Sequence, residues 1–140
     1  MEYFYQVPDY QRGYVWDQER VTDFLESIFE HFSLKTTNSY FIGAAVFESS
    51  PDQEKYYVVD GQQRLTTAFV IIAAAFNLLK YHNAKTEIIE SIANSYLSKY
   101  NLEEDSFELK IQHSEQKCKE ALQAILNNND QTPDNTSKSA

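Results

Sequence analysis

The sequence predicts a mixed α+β domain, an α/β arrangement with a small mixed sheet, packed helices and a helical carboxy-terminal part. Three observations predict it. The aromatic, β-prone stretch Phe4–Val7 is stopped by Pro8 and soon followed by helical periodicity. A second β-prone stretch, Lys55–Val59, turns through Asp60-Gly61 straight into a long apolar segment beginning at Gln62. Beyond residue 85 the apolar residues recur mostly at helical spacing.

Taken in order, Phe4–Val7 reads as a strand ending at the loop Asp9–Trp16. A helix is expected from Asp17, because Val21, Phe24, Leu25, Ile28, Phe29 and Phe32 fall on one face. Asp17 suits the N-cap, Glu19 suits the first turn, and Trp16 suits a hydrophobic plug or staple. Tyr40–Glu48 reads as a strand buried on both faces, with Gly43 marking a bulge or a close approach to the backbone. It would pair with Lys55–Val59 as a hairpin in the middle of the sheet. Gln62 to Tyr81 reads as one helix, apolar almost all round and therefore buried. A helix over Lys85–Lys99, a short strand over Phe107–Ile111 and an amphipathic helix over Ser114–Leu126, capped by Ser114, complete the domain, 1–126. Asn127–Ala140 has almost nothing to bury and reads as a disordered tail.

With 12 Lys and Arg against 21 Asp and Glu, the net charge is −9. That argues against gripping nucleic acid with a broad basic face, which requires many neutralised phosphates. A small local anion site remains compatible. Only three arginines occur, and two of them, Arg12 and Arg64, lie beside glycines in the least ordinary segments. One cysteine, Cys118, excludes a disulfide framework, and His31, His82 and His113 lack metal-ligand spacing. The longest apolar run, 68–76, is too short to span a bilayer and no leader opens the chain, so the cytoplasm is the expected compartment, with no membrane partner.

The turn Asp60-Gly61-Gln62-Gln63-Arg64-Leu65-Thr66-Thr67 is the principal candidate site. The first N–H groups of a helix have no internal partner and, with the helix dipole, attract phosphate. Gly61 would let a ligand approach the backbone, Arg64 would add a donor fork, Thr66 and Thr67 hydroxyls, and Gln62 and Gln63 amides. A ligand-free reading competes, in which Asp60 and Gln63 form a capping box. Asp60 either caps and faces away or holds a Mg²⁺ that bridges to phosphates. In the loop, Tyr10 would stack on a base and Arg12 reach phosphate, with Gln11 beside them.

Val7-Pro8-Asp9-Tyr10-Gln11-Arg12-Gly13-Tyr14-Val15-Trp16, then Tyr40-Phe41-Ile42-Gly43, then Val59 to Thr67, in that order and spacing, resemble the amino-terminal domain of GmrSD-type modification-dependent restriction systems. The resemblance covers residues 3–80 best. It implies a ParB- and sulfiredoxin-like fold whose strand-to-helix turn binds nucleotide phosphates. It further implies hydrolysis of a nucleoside triphosphate with Mg²⁺ in phage defence, with Asp60, Gln63 and Arg64 catalytic and Asp60 toward the metal. Gly61, Gln62, Gln63, Arg64, Thr66 and Thr67 would form the nucleotide pocket, and Tyr10, Gln11 and Arg12 would contribute to the same pocket or to sensing modified DNA. No HNH nuclease pattern is present. The chain is therefore expected to be a fragment or reduced member acting with a nuclease domain or subunit, and to contact modified DNA through regions outside it. A non-catalytic ParB-like module that binds nucleotide or DNA to regulate partners is the alternative.

Overall fold

A computed structural model describes residues 3–10, 13–35, 38–52, 55–102 and 105–127. The strands are β1 (Phe4–Val7), β2 (Val46–Ser49), β3 (Lys55–Asp60), β4 (Ser98–Asn101), β5 (Ser106–Leu109) and β6 (Ile111–His113). The α-helices are α1 (Gln18–Ser33), α2 (Gln62–Tyr81), α3 (Thr86–Ile92) and α4 (Gln116–Asn127), and one π-helical turn, Ala93–Leu97, follows α3. The main sheet runs β2-β3-β1-β6; β2 is antiparallel to β3, while β1 is parallel to both β3 and β6. β4 and β5 form a separate antiparallel pair. The fold is therefore mixed α+β, as the sequence indicates.

The core lies on one face of the sheet. Phe69 and Ala73 of α2, Leu97, Ile111 of β6 and Leu122 of α4 are its buried centre, with Tyr5, Leu65, Phe76 and Ile125 packed around them. β1 sits between β3 and β6 because its alternating Tyr5 and Val7 point into this apolar layer. Asn77 ties the two covering helices together, donating from Nδ2 to the Ile125 carbonyl at 2.8 Å. By length and composition α2 is apolar enough to cross a membrane, with a mean hydropathy of 1.3 over its best window, a property the nine-residue run 68–76 understates. In the fold it is a core helix through Phe69 and Ala73.

Several sequence expectations are corrected. The strand expected over Tyr40–Glu48 is confined to Val46–Ser49 and is an exposed edge, not buried on both faces. Gly43, at φ +121°, breaks the extended run, and residues 40–45 cross the start of α2 instead. β3 does occupy the sheet interior. The α1 apolar stripe is not buried: Phe29 and Phe32 are 68% and 63% exposed. α2 is buried only at Thr66, Thr67, Phe69 and Ala73. The helix expected over Lys85–Lys99 relaxes into the π-turn and ends at Leu97, so Lys99 lies in β4. The single strand expected over Phe107–Ile111 is two strands in two sheets, parted at Lys110. Ser114 does not adjoin α4; it precedes it by two residues, and its hydroxyl accepts from Gln6 Nε2. Of the expected tail, Asn127 closes α4 and residues 128–140 lie outside the described residues.

Lys110 makes the switch between sheets possible. Its backbone N–H donates to Leu97 O and its carbonyl accepts from Tyr5 N–H, at 2.9 and 2.7 Å. Its side chain is buried, and the ammonium donates to the Asn94 and Ser95 carbonyls at 2.5 and 3.1 Å. A cation there satisfies carbonyls at the end of a helical segment, where the backbone dipole favours it. Lys110→Met keeps the stem but removes both bonds, and is expected to cost about 2 kcal/mol. Thermal unfolding measures this, and an unchanged Tm would show that the ammonium contributes nothing net.

Candidate functional site

β3 ends at Asp60 and α2 begins at Gln62, with Gly61 between them in the left-handed region, φ +91°. The N-cap residue, Gly61, has no side chain with which to cap the helix, and the first turn holds no acidic residue. The capping-box expectation is thereby overturned. Asp60 is the last residue of the strand, and its Oδ1 accepts from the adjacent Gly61 N–H at 2.9 Å. Gln63 points elsewhere. A Cβ on Gly61 would stand 3.0 Å from the Ala45 Cβ and 3.1 Å from the Ala44 carbonyl. Arg64 reaches back over the same segment. A Cβ on Gly43 would run into its guanidinium, and Nη1 donates a long bond, 3.5 Å, to the Ile42 carbonyl. Gly43 is therefore the point of close approach that the sequence indicated, and Arg64 is what approaches it.

The two sequence motifs meet here. The Gln63 amide donates from Nε2 to Gly13 O and accepts at Oε1 from Val15 N–H, both at 2.9 Å. One turn further along α2, Thr67 donates to Gln63 O and receives the Tyr14 hydroxyl at 2.7 Å. Thr66 shares a buried 2.9 Å hydrogen bond with His113 Nε2, so β6 is fixed to the same helical turn. Glu115, just before α4, lies over Gly13, where a Cβ would collide with its carboxylate. The Cys118 sulfur contacts the Tyr14 backbone and Glu115; burial is the main cause raising its thiol pKa, so it stays protonated at neutral pH. Trp16 packs edge-on against Phe24 at 5.6 Å and beneath Arg20, as a plug leading into α1. Asp17 caps that helix by accepting from Arg20 N–H.

Among the expected site residues, the structure gathers Gly61, Gln62, Gln63, Arg64, Thr66 and Thr67 on the first turns of α2 and brings the 13–15 loop onto them. Gln11 and Arg12 lie outside the described residues. Tyr10 lines a different feature, an open cleft of about 510 Å³ bounded by Gln6, Asp9, Glu48, Tyr57 and Ser114. Gln6, Tyr57 and Glu48 pair across the strands, which places this cleft on the sheet face opposite Tyr5 and the α2 core. Among the described residues its lining carries two carboxylates, Asp9 and Glu48, and no Lys or Arg. Sequence reasoning missed Tyr14 and His113 as partners of the threonines, since neither pairing leaves a local sequence signal.

Burial holds His113 below the ordinary imidazole value of 6.5, with Glu115 pulling weakly the other way. A neutral ring is therefore the folded form. As pH falls through 6.5 the unfolded chain takes up the proton first, so stability declines toward the lower folded pKa and is fully present above 6.5. Thermal unfolding between pH 7.5 and 5.5 is expected to show a falling Tm that is flatter in His113→Gln; parallel slopes would clear His113 of the effect.

The donor set limits what metal chemistry the turn supports. Among the described residues no group of three His, Cys, Asp or Glu side chains is placed to hold a metal ion. At the turn itself Asp60 is the one carboxylate, with Oδ1 already accepting from Gly61 N–H, and it would hold only a Mg²⁺ that arrived with phosphate oxygens already coordinated.

A search of curated proteins finds no match. A family model, described as the GmrSD restriction endonuclease N-terminal domain, matches residues 1–139, extending the likeness of residues 3–80 over the later helices as well. With both motifs joined on α2 and the match running almost the whole length, the chain belongs to the GmrSD restriction endonuclease N-terminal domain family, and so is part of a GmrSD-type restriction system.

Proposed function

We propose that this domain binds, and with its partner regions hydrolyses, a nucleoside triphosphate in the cytoplasm, in support of cleavage of modified foreign DNA. The observation that carries the reading is the start of α2. A 20-residue helix opens at a left-handed glycine with no side-chain cap and no acid in its first turn, and an arginine stands one turn in. Backbone donors and the helix dipole there favour phosphate, and Arg64 adds the bidentate fork. The ParB- and sulfiredoxin-like fold that the sequence resemblance implies would put phosphate at the same turn. Asp60 would hold Mg²⁺, which when bound neutralises phosphate charge. Thr66 is already bonded to His113 and Thr67 to Gln63 and Tyr14, so their part is to shape the turn.

A second reading, binding without turnover, draws on one observation. Both functional atoms of the Gln63 amide are bonded to the 13–15 loop, so Gln63 is not poised to orient water. It would make the domain a nucleotide-dependent regulator of a nuclease subunit. A thermal-shift screen of the chain with ATP, GTP, CTP and UTP, with and without Mg²⁺, tests the shared claim. Saturation at about 100 times Kd should add roughly 2.7 kcal/mol of stability, a clear rise in Tm. No rise with any triphosphate overturns both readings, and phosphate release under the same conditions separates them.

A further inference from the structure

We infer that Gln63 is a positioning residue that fastens the 13–16 loop to the start of α2 and thereby completes the triphosphate site; this rests on the function proposed above. The carboxamide bonds the carbonyl of Gly13 and the N–H of Val15, the two groups flanking Tyr14. That is the pattern a residue of a neighbouring parallel strand presents to the residue between those groups. The side chain thus substitutes for one rung of a sheet where the loop has none. The amide meets both demands at once, its Nε2 donating to the carbonyl and its Oε1 accepting from the N–H. The requirement also fixes which end of the amide faces which partner.

The fastening is double and lies on one helix face. Gln63 and Thr67 are four residues apart, so they project side by side. Tyr14 is held by its flanking backbone through Gln63 and by its hydroxyl through Thr67. The Thr67 hydroxyl spends its proton on the Gln63 carbonyl, leaving its lone pairs for Tyr14. Glu115 closes over Gly13 from the α4 side, so a side chain there would have to displace its carboxylate. The loop therefore enters α1 from a fixed point beside the start of α2. The role differs from chemistry at the phosphate: Gln63 acts through the loop.

The single tryptophan, Trp16, gives the test its own reporter, since it ends the fastened segment and packs on Phe24. Gln63→Glu keeps the size and an acceptor but sets a carboxylate oxygen against the Gly13 carbonyl. In it, acrylamide quenching of Trp16 should rise about twofold, and Kd for whichever of ATP, GTP, CTP and UTP shifts the wild-type chain most should rise about tenfold. Tyr14→Phe with Thr67→Val removes the second fastening and should move both readouts the same way; it also serves if Gln63→Glu fails to fold. Unchanged quenching in both variants overturns the fastening. Raised quenching with unchanged Kd overturns the positioning role alone. A wild-type chain that binds no triphosphate overturns the parent reading and this one with it.

Discussion

Gly61→Val is expected to lower stability by about 3 kcal/mol, a drop of roughly 10 °C in Tm, and to abolish triphosphate binding. Two costs combine. At φ +91° a β-branched side chain sits in a backbone region that L residues rarely adopt. The added atoms would also press on the Ala45 Cβ at 3.0 Å and the Ala44 carbonyl at 3.1 Å, both in the segment crossing the helix start. Backbone cannot swing aside as a lysine tip would. Displacing that segment also moves Ile42 and Gly43, against which Arg64 lies. Gly61→Asn separates the two costs, because Asn tolerates positive φ better but still carries a Cβ. It should lose less than the valine variant. Equal Tm values for wild type and Gly61→Val would mean that the turn relaxes freely and that the glycine is dispensable.

Arg64→Ala is expected to weaken triphosphate affinity by at least about thirtyfold, 2 kcal/mol, while leaving the fold intact. Its one described hydrogen bond is long, 3.5 Å to Ile42 O, so its loss should cost well under about 1 kcal/mol of stability. A guanidinium held by one long, exposed bond can turn toward an anion. Arg64→Lys keeps the charge without the planar fork and should recover only part of the affinity. Isothermal titration of the folded variants decides the matter. Unchanged affinity in folded Arg64→Ala would leave the arginine as a tether to the 40–45 segment and nothing more.

Where the chemistry is local, the sequence is readable. Asp17 caps α1, the strand Phe4–Val7 stops at Pro8, and α2 spans Gln62 to Tyr81, because turn formers and apolar periodicity act over a few residues. The failures concern partners distant in the chain. Asp60-x-x-Gln63 fits a capping box until Gly13 and Val15 compete for the Gln63 amide, and nothing near residue 63 announces them. Lys110 sits between apolar neighbours and reads as the middle of one strand. The carbonyls of Asn94 and Ser95, with the backbone bonds of Lys110 to Leu97 and Tyr5, explain why the chain changes sheets there. The apolar stripe of α1 is periodic as expected, yet periodicity specifies a face without specifying its cover, and Phe29 and Phe32 remain exposed. At the candidate site the residue types were legible in Asp60–Thr67, whereas the fastening to Tyr14 required the fold.

The order of strands has a kinetic side. β1 is made first, yet it lies inside the sheet, with Tyr5 beside Tyr56 on one edge and Ile111 on the other. On a ribosome this strand waits for both neighbours, and the second emerges only after most of the domain. Contacts between such distant residues carry a large loop-closure cost and slow folding. Until β6 arrives, one edge of β1 is a bare ladder that another nascent chain could pair with. A chain cut before Ile111 would keep that edge permanently, so carboxy-terminal truncations of this domain should be judged first by whether they retain β6.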